Sequence, residues 1–350
     1  MLFLEVSQLF RRRILLLSTY AILVTVSVPI CTAFGTIYTP WEVAASILNG
    51  GSSDVNLVLA LRLRRVLASL VVGALLGGAG VITQAAFRNL MASPFTLGIS
   101  SASALGVAIA LVLGIGGRGS AWFVMFKSPF TLAFFAFTFA IIQVLLVLLL
   151  AWRAGLDARA LILASISLNF LYQALLYLVQ YLVLNEIQLA TVIFWTFGDL
   201  GRVGWQELSI LGAGILVVAP AYLLLHKDLD LLLFGEEVAA TSGVNPRRAR
   251  FIAVLLAALG AALATSFVGI LAFLCLLSPY LAKLVIGGRH AYLLPSSMLI
   301  GALILMWADT VSRTVLSPVV IPVGITLSMV GAPLLLYLLL RGGKSGDYQG

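Results

Sequence analysis

The chain has 350 residues, 62% of them hydrophobic and only 10% charged, with a mean hydropathy of +1.13. Soluble domains carry roughly 25% charged residues, so the composition excludes a water-soluble globular protein and makes lipid the solvent. The net charge of +8 would suggest a nucleic-acid partner in a soluble protein. Here the basic residues sit at the ends of apolar runs, which is the pattern of membrane topology.

A helix needs about 20 apolar residues to cross the bilayer core, and only helices and closed barrels satisfy their backbones there. The apolar runs are long and do not alternate, so they read as helices. In chain order the expected spans are about 14–34, 62–85, 95–113, 129–152, 161–184, 207–226, 249–268, 270–286, 295–312 and 323–340. The expected fold is therefore an all-α integral membrane bundle of about ten helices, a single transmembrane domain over 1–350. Its Gly- and Ala-rich spans let helices approach closely. The start resembles a signal peptide, with Arg11, Arg12 and Arg13 before an apolar run, but the run is longer than a typical signal core. Val28-Pro29-Ile30 before Cys31 is also a poor lipoprotein cleavage context, so this run is a first span.

Ten spans put both termini on one side. With the N-terminus inside, the inner basic residues are Arg11, Arg12, Arg13, Arg88, Arg153, Arg159, Lys227, Arg247, Arg248, Arg250, Lys283, Arg289, Arg341 and Lys344. The outer ones are Arg62, Arg64, Arg65, Arg118, Lys127, Arg202 and Arg313. The inner excess favours cytoplasmic termini and places GEEVAATSGVNP (235–246) in the cytoplasm. RLRRVLASLVVGALLGGAG (62–80) and RRARFIAVLLAALGAAL (247–263) share an arginine cluster followed by a small-residue helix. Each is followed by a Ser-Pro pair, Ser93-Pro94 and Ser278-Pro279. They would start on opposite sides, the signature of an inverted repeat; chance similarity between Ala/Gly/Leu helices is the alternative.

Little in the chain suggests catalysis. The histidines are His226 and His290, both at span ends, and Cys31 and Cys275 lie in apolar runs as inert packing residues. No metal, cofactor or triad pattern appears. GISSAS (98–103) has a serine-protease flavour, but Ala102 stands where the closing glycine belongs and no histidine lies at membrane depth. RGGKSG (341–346) ends like a phosphate-binding loop, yet Leu338 occupies the position of the first glycine and no strand precedes it.

Polar residues within spans are more informative. Ser165, Asn169, Gln173 and Gln180 fall within about 80° of one another at 100° per residue. They form an uncharged stripe that either hydrogen-bonds between helices or lines a translocation pathway. Asp309 stands four residues before Arg313, the spacing of an intrahelical ion pair, with a proton-relay carboxylate as the alternative.

The stretch RLRRVLASLVVGALLGGAGVITQAAFRNLMASPFTLGISSASALG (62–106) closely resembles the signature of FecCD-type permeases. VVIPVGITLSMVGAPLLLYLLLR (319–341) resembles their last span, and GEEVAATSGVN (235–245) their cytoplasmic coupling segment. The resemblance runs over roughly 40 to 341. It implies the membrane subunit of a type II ABC importer for ferric siderophores, haem or cobalamin. Two copies would surround the pathway, two ABC ATPase subunits would dock inside and an extracytoplasmic substrate-binding protein outside, with the complex in the cell membrane. On this reading the permease itself is not an enzyme. Gly235, Glu236, Glu237, Ala239, Ala240, Gly243 and Asn245 would engage the ATPase. Arg62, Arg65 and Arg313 would meet carboxylates of the binding protein, where lipid snorkelling is the alternative. A secondary transporter driven by ions or protons is the competing function; it would want intramembrane carboxylates. The eighth span departs from the family pattern, with Ala272 and Cys275 at usual glycines and Tyr280 at a usual histidine. Asn89 is not followed by the family's proline. These departures leave the cargo open and put close packing around that span in doubt.

Overall fold

The computed structural model describes residues 2–48, 53–115 and 129–342. Arg118, Lys127 and Lys344, and most of the RGGKSG tail, lie outside these residues. The described chain is helical, without strands. In chain order the helices are α1 (Leu2–Ala33), α2 (Pro40–Leu48), α3 (Ser53–Phe87), α4 (Ile99–Ala110), α5 (Pro129–Arg153), α6 (Ala158–Leu182), α7 (Glu186–Thr196), α8 (Trp205–Leu224), α9 (His226–Phe234), α10 (Glu236–Thr241), α11 (Pro246–Val268), α12 (Leu274–Ile286), α13 (His290–Thr314) and α14 (Val323–Gly342).

Seven of these are long and apolar enough to cross a membrane, and three more apolar helices are shorter: Ile99–Leu113, Leu274–Ile286 and Val323–Tyr337. The ten coincide with the ten expected spans. The short helices α2, α7, α9 and α10 escape a search tuned to bilayer length. Local chemistry starts the helices cleanly. Asp157 accepts from the Ala160 amide at 2.7 Å, Asn245 accepts from the Arg248 amide at 3.1 Å just ahead of Pro246, and Asn185 and Gln188 exchange side-chain and backbone bonds as a capping box.

Helix α3 is the central post, with 83% of its apolar window buried, against 17% for α1 and for α6. It packs on α13, α11, α12 and α8. The approach to α13 is backbone to backbone. A Cβ on Gly73 would collide with the Gly301 carbonyl, one on Gly301 with the Gly73 carbonyl, and one on Gly77 with the Ser297 carbonyl. The Ser297 hydroxyl donates to the Gly77 carbonyl at 2.8 Å across this seam. Against α12 the bare position is Gly80, where the Cys275 carbonyl comes in. Close packing around the eighth span therefore survives Ala272 and Cys275, because the glycine that permits it lies on α3.

The arginine-led helices α3 and α11 run in opposite directions. Arg62 and Arg65 mark one end of the bundle, here the arginine end; Arg247, Arg248 and Arg250 start α11 at the other, here the Glu236 end. The Ser-Pro pairs differ in role. Ser93-Pro94 opens a 3-10 turn, Pro94–Leu97, which breaks before α4 at Gly98 with φ 84°, whereas Pro279 lies inside α12.

Small side chains at the α3–α13 seam set a clear expectation. Gly301→Val or Gly77→Val should overpack the seam and cost on the order of 1–3 kcal/mol or more, read as a lower thermal midpoint in detergent. Gly212→Ala, where an added Cβ meets nothing within 4 Å, should leave the midpoint within a degree or two.

Candidate functional site

The segment 235–246 folds as a short exposed helix, α10, between the end of α9 and the start of α11. Gly235 has φ 120° and Gly243 φ 86°, left-handed geometry that favours glycine. Ala239 is buried and anchors the helix, while Glu237, Val238, Ala240, Gly243 and Asn245 are exposed. Glu236, Glu237, Ala240, Gly243 and Asn245 line a shallow concavity of about 660 Å³ that opens outward. Neighbouring Phe234 is 73% exposed, so the surface mixes acid with apolar area.

The two glutamates have different jobs. Glu237 is exposed and makes no ion pair among the described residues. Glu236 accepts from Nη1 of Arg250 at 2.7 Å, and Arg250 is one of the largest fully buried side chains. The same guanidinium donates through Nε to the Ala86 carbonyl at 3.0 Å and through Nη1 to the Leu156 carbonyl at 2.7 Å. One buried cation thus joins α10 to the last turn of α3 and to the α5–α6 connection. A second clamp lies nearby on α9: Asp230 accepts from the backbone amide of His290 at 2.9 Å and lies 2.7 Å from its Nδ1, capping α13. Burial pushes the Asp230 carboxyl up, but its hydrogen bonds with His290 outweigh that and hold it below the usual carboxylate range.

Sequence reasoning placed Arg250 only among the topology charges. A signal was available: Arg250 lies on the same α11 face as Ala253, Val254, Ala257 and Ala261, all buried, and helical periodicity assigns it to the core.

At the arginine end the three candidate docking arginines form a structural network. Arg62, 7% exposed, donates to the Ala33 and Tyr38 carbonyls at 2.8 and 3.0 Å. Arg313 pairs with Asp309 at 2.9 Å, the expected i,i+4 contact. It also donates to the Phe34 and Cys31 carbonyls and to the Thr310 hydroxyl, each at 3.2 Å. Arg65 gives Nε to Asp309 at 2.6 Å and Nη2 to Asp199 at 3.0 Å. The α1 terminus is thus held by cations that complement its exposed carbonyls. Asp309 has both oxygens taken.

The α6 stripe faces α4. Ser165 is 1% exposed, and Asn169, Gln173 and Gln180 are half-buried. Asn169 Oδ1 accepts from the Ser101 hydroxyl at 2.7 Å, so GISSAS supplies a partner to the stripe. Beside it, fully buried Gln143 donates to the Leu97 carbonyl at 3.1 Å. Gln143 Oε1 and Ser165 Oγ have no hydrogen-bond partner among the described residues. Uncharged polar groups therefore gather where the chain breaks between the 3-10 turn and α4. The adjoining face of α6 is open, with Leu163, Phe170, Tyr177 and Tyr181 at least 60% exposed.

Two outcomes follow from the Glu236 end. Arg250→Met strips donors from two buried carbonyls, each worth about 1–3 kcal/mol when left unsatisfied, whereas Glu236→Gln releases a side chain that can turn to water. Thermal unfolding in detergent should show a much larger loss for Arg250→Met. The Asp230 clamp has a folded pKa lowered from its unfolded value. Its stabilisation is present above pH ~4 and is lost as pH falls through the lowered value. Amide exchange in the first turn of α13 should accelerate on acidification below that range, and Asp230→Ala should show the fast exchange at neutral pH.

The FecCD transport family profile matches residues 22–341. The chain is 33% identical to the Fe(3+)-citrate import system permease protein YfmE of Bacillus subtilis, over 94% of this chain and 96% of that one. It is 38% identical to the hemin transport system permease protein HmuU of Yersinia pestis, over 85% of this chain and 87% of that one. Among solved structures it resembles a chain from an ABC transporter described as of metal-chelate type, in an inward-facing conformation. The TM-score is 0.80 at 27% identity, over 94% of this chain and 99% of that one. The chain belongs to the FecCD transport family.

Proposed function

We propose that the chain is the membrane permease subunit of an ABC importer for an iron chelate, either a ferric siderophore or haem, or for a corrinoid. It works as a single permease unit paired with a second copy in the cell membrane, its termini in the cytoplasm. Two separate ATPase subunits power it, and ATP hydrolysis belongs to them. An extracytoplasmic binding protein delivers the cargo to the arginine end. The observation that carries this reading is α10: a short, exposed, acidic and apolar helix wired by one buried arginine into α3 and the α5–α6 connection. A solvated loop has no use for such wiring; a handle that moves spans does.

Within this reading Gly235, Glu236, Glu237, Ala239, Ala240, Gly243 and Asn245 divide the work. Ala239 and Glu236 fasten the handle to the bundle, while Glu237, Ala240 and Asn245 meet the ATPase. Arg62, Arg65 and Arg313 give the arginine end a positive field that steers an acidic partner. The α6 stripe and the polar groups at the α4 break border the path, and the open face of α6 meets lipid or the second copy. An uncharged lining suits a bulky chelate that must be released, and such broken helices commonly frame transport sites. Asp309, the carboxylate that could have served as a proton relay, has both oxygens taken by arginines.

Relatives of similar identity carry iron citrate and hemin in their names, so identity alone does not name the cargo. The test is a binding panel of ferric citrate, hydroxamate siderophores, haem, cobalamin and molybdate on the cognate binding protein. A tight hit on an iron chelate or corrinoid is expected; tight binding of molybdate alone would contradict the cargo class. On the other face, Glu237→Lys should leave a folded permease that loses its ATPase on co-purification, and normal retention would contradict the assignment of Glu237.

A further inference from the structure

The three arginines at the arginine end are not equivalent. Arg62 spends both terminal nitrogens on backbone carbonyls, and Arg313 spends Nε and both terminal nitrogens inside the bundle. Arg65 is bound on two sides of unlike character. Its Nε holds Asp309, whose side chain is 0% exposed, and its Nη2 holds Asp199, whose side chain is 32% exposed. The first contact is locked in the core. The second is partly exposed, and an ion pair within reach of solvent is weaker than a buried one.

Asp199 sits on the α7–α8 connection, a segment fastened by backbone contacts. The Asp199 amide donates to the Val268 carbonyl at 2.8 Å, and the Gly324 amide donates to the Gly198 carbonyl at 3.2 Å. Glycines make the junction possible: a Cβ on Gly269 would strike the Trp195 carbonyl, and one on Gly324 the Phe197 carbonyl. The end of α7, the α11–α12 link and the start of α14 therefore meet as bare backbone. Such a contact has no flexible side chains to absorb a displacement, so movement of 197–201 is carried to α11 and α14. The Asp199 carboxylate itself braces the turn, accepting from the Gly201 amide at 2.8 Å.

We propose that Arg65 is a carboxylate-exchange site. A carboxylate of the docking protein takes the edge of Arg65 that Asp199 occupies, while Asp309 holds the other edge throughout. Asp199 is an internal stand-in for the partner's carboxylate, and its release from Arg65 is the signal that reaches the α7–α11–α14 junction. A bidentate pair needs two donors on one edge of the guanidinium. Nη2 is committed to Asp199 and Nη1 lies against Gly201, so a partner carboxylate displaces Asp199 and does not simply add. This deepens the docking assignment of the arginines and rests on it.

The exchange makes a prediction of definite sign. Asp199→Asn removes a competitor, and it should tighten binding of the purified binding protein to the reconstituted transporter by about two- to fivefold. Arg65→Gln should weaken it. Unchanged or weaker binding by Asp199→Asn, with Arg65→Gln still damaging, overturns the exchange alone. Unchanged binding in both variants overturns the docking assignment beneath it. A measurement on the unaltered transporter guards against misfolded variants. Amide exchange at 199–204 should accelerate when the binding protein docks, because Asp199 loses its tether to Arg65. Uniform protection of that segment overturns the proposal.

Discussion

The close approach of backbones along α3 is the contact on which the remaining architecture depends. Lipid provides no hydrophobic drive between helices, so their association rests on van der Waals contact and hydrogen bonds. Gly73, Gly77 and Gly80 let carbonyls of α13 and α12 lie directly on α3. Large side chains there would hold the neighbours away and lose that contact along the whole seam. The consequence is mechanical. Arg65 near one end of α3 and Ala86 near the other are 21 residues apart, about 31 Å at 1.5 Å per residue. Their partners, Asp199 and Asp309 at one end and Arg250 at the other, are placed relative to each other by one buried helix.

Charge is used sparingly, and several of the buried charges are paired. Burying a lone ion is expensive, and the cost is offset only where geometry is good and the remaining donors are satisfied. Arg250 meets this condition with two carbonyls and a carboxylate, and Asp309 meets it with two arginines. At each end of the bundle a more buried arginine pairs with a more exposed carboxylate: Arg250 with Glu236, whose side chain is 48% exposed, and Arg65 with Asp199. The buried member fixes the bundle, and the exposed member sits where a partner protein can reach it. On the proposed function this is how docking at either face is felt inside the membrane.

The spans were legible because bilayer thickness imposes a length and a composition that the chain cannot avoid. The Asp309–Arg313 pair was legible because four residues on a helix is a contact. The stripe of Ser165 and Asn169 was legible as one face, but its partner Ser101 was not, since nothing local says which helix α6 meets. The Arg65–Asp309 pair spans 244 positions and depends entirely on tertiary packing. Arg250 was hidden by its neighbours: Arg247 and Arg248 are exposed topology charges, and only the helical phase of α11 separates the third arginine from them. The short helices α7 and α9 were missed because they do not span the membrane, whereas α10 falls within the segment 235–246 that the family resemblance singled out.

The central claim is that movement is driven by ATP through α10. The direct measurement is uptake of a radiolabelled ferric chelate into proteoliposomes holding the permease, its ATPase and the binding protein, with ATP or a proton gradient supplied separately. The account expects uptake that requires ATP and the binding protein, and that Glu237→Lys abolishes. Uptake driven by the proton gradient with no ATP present would contradict it.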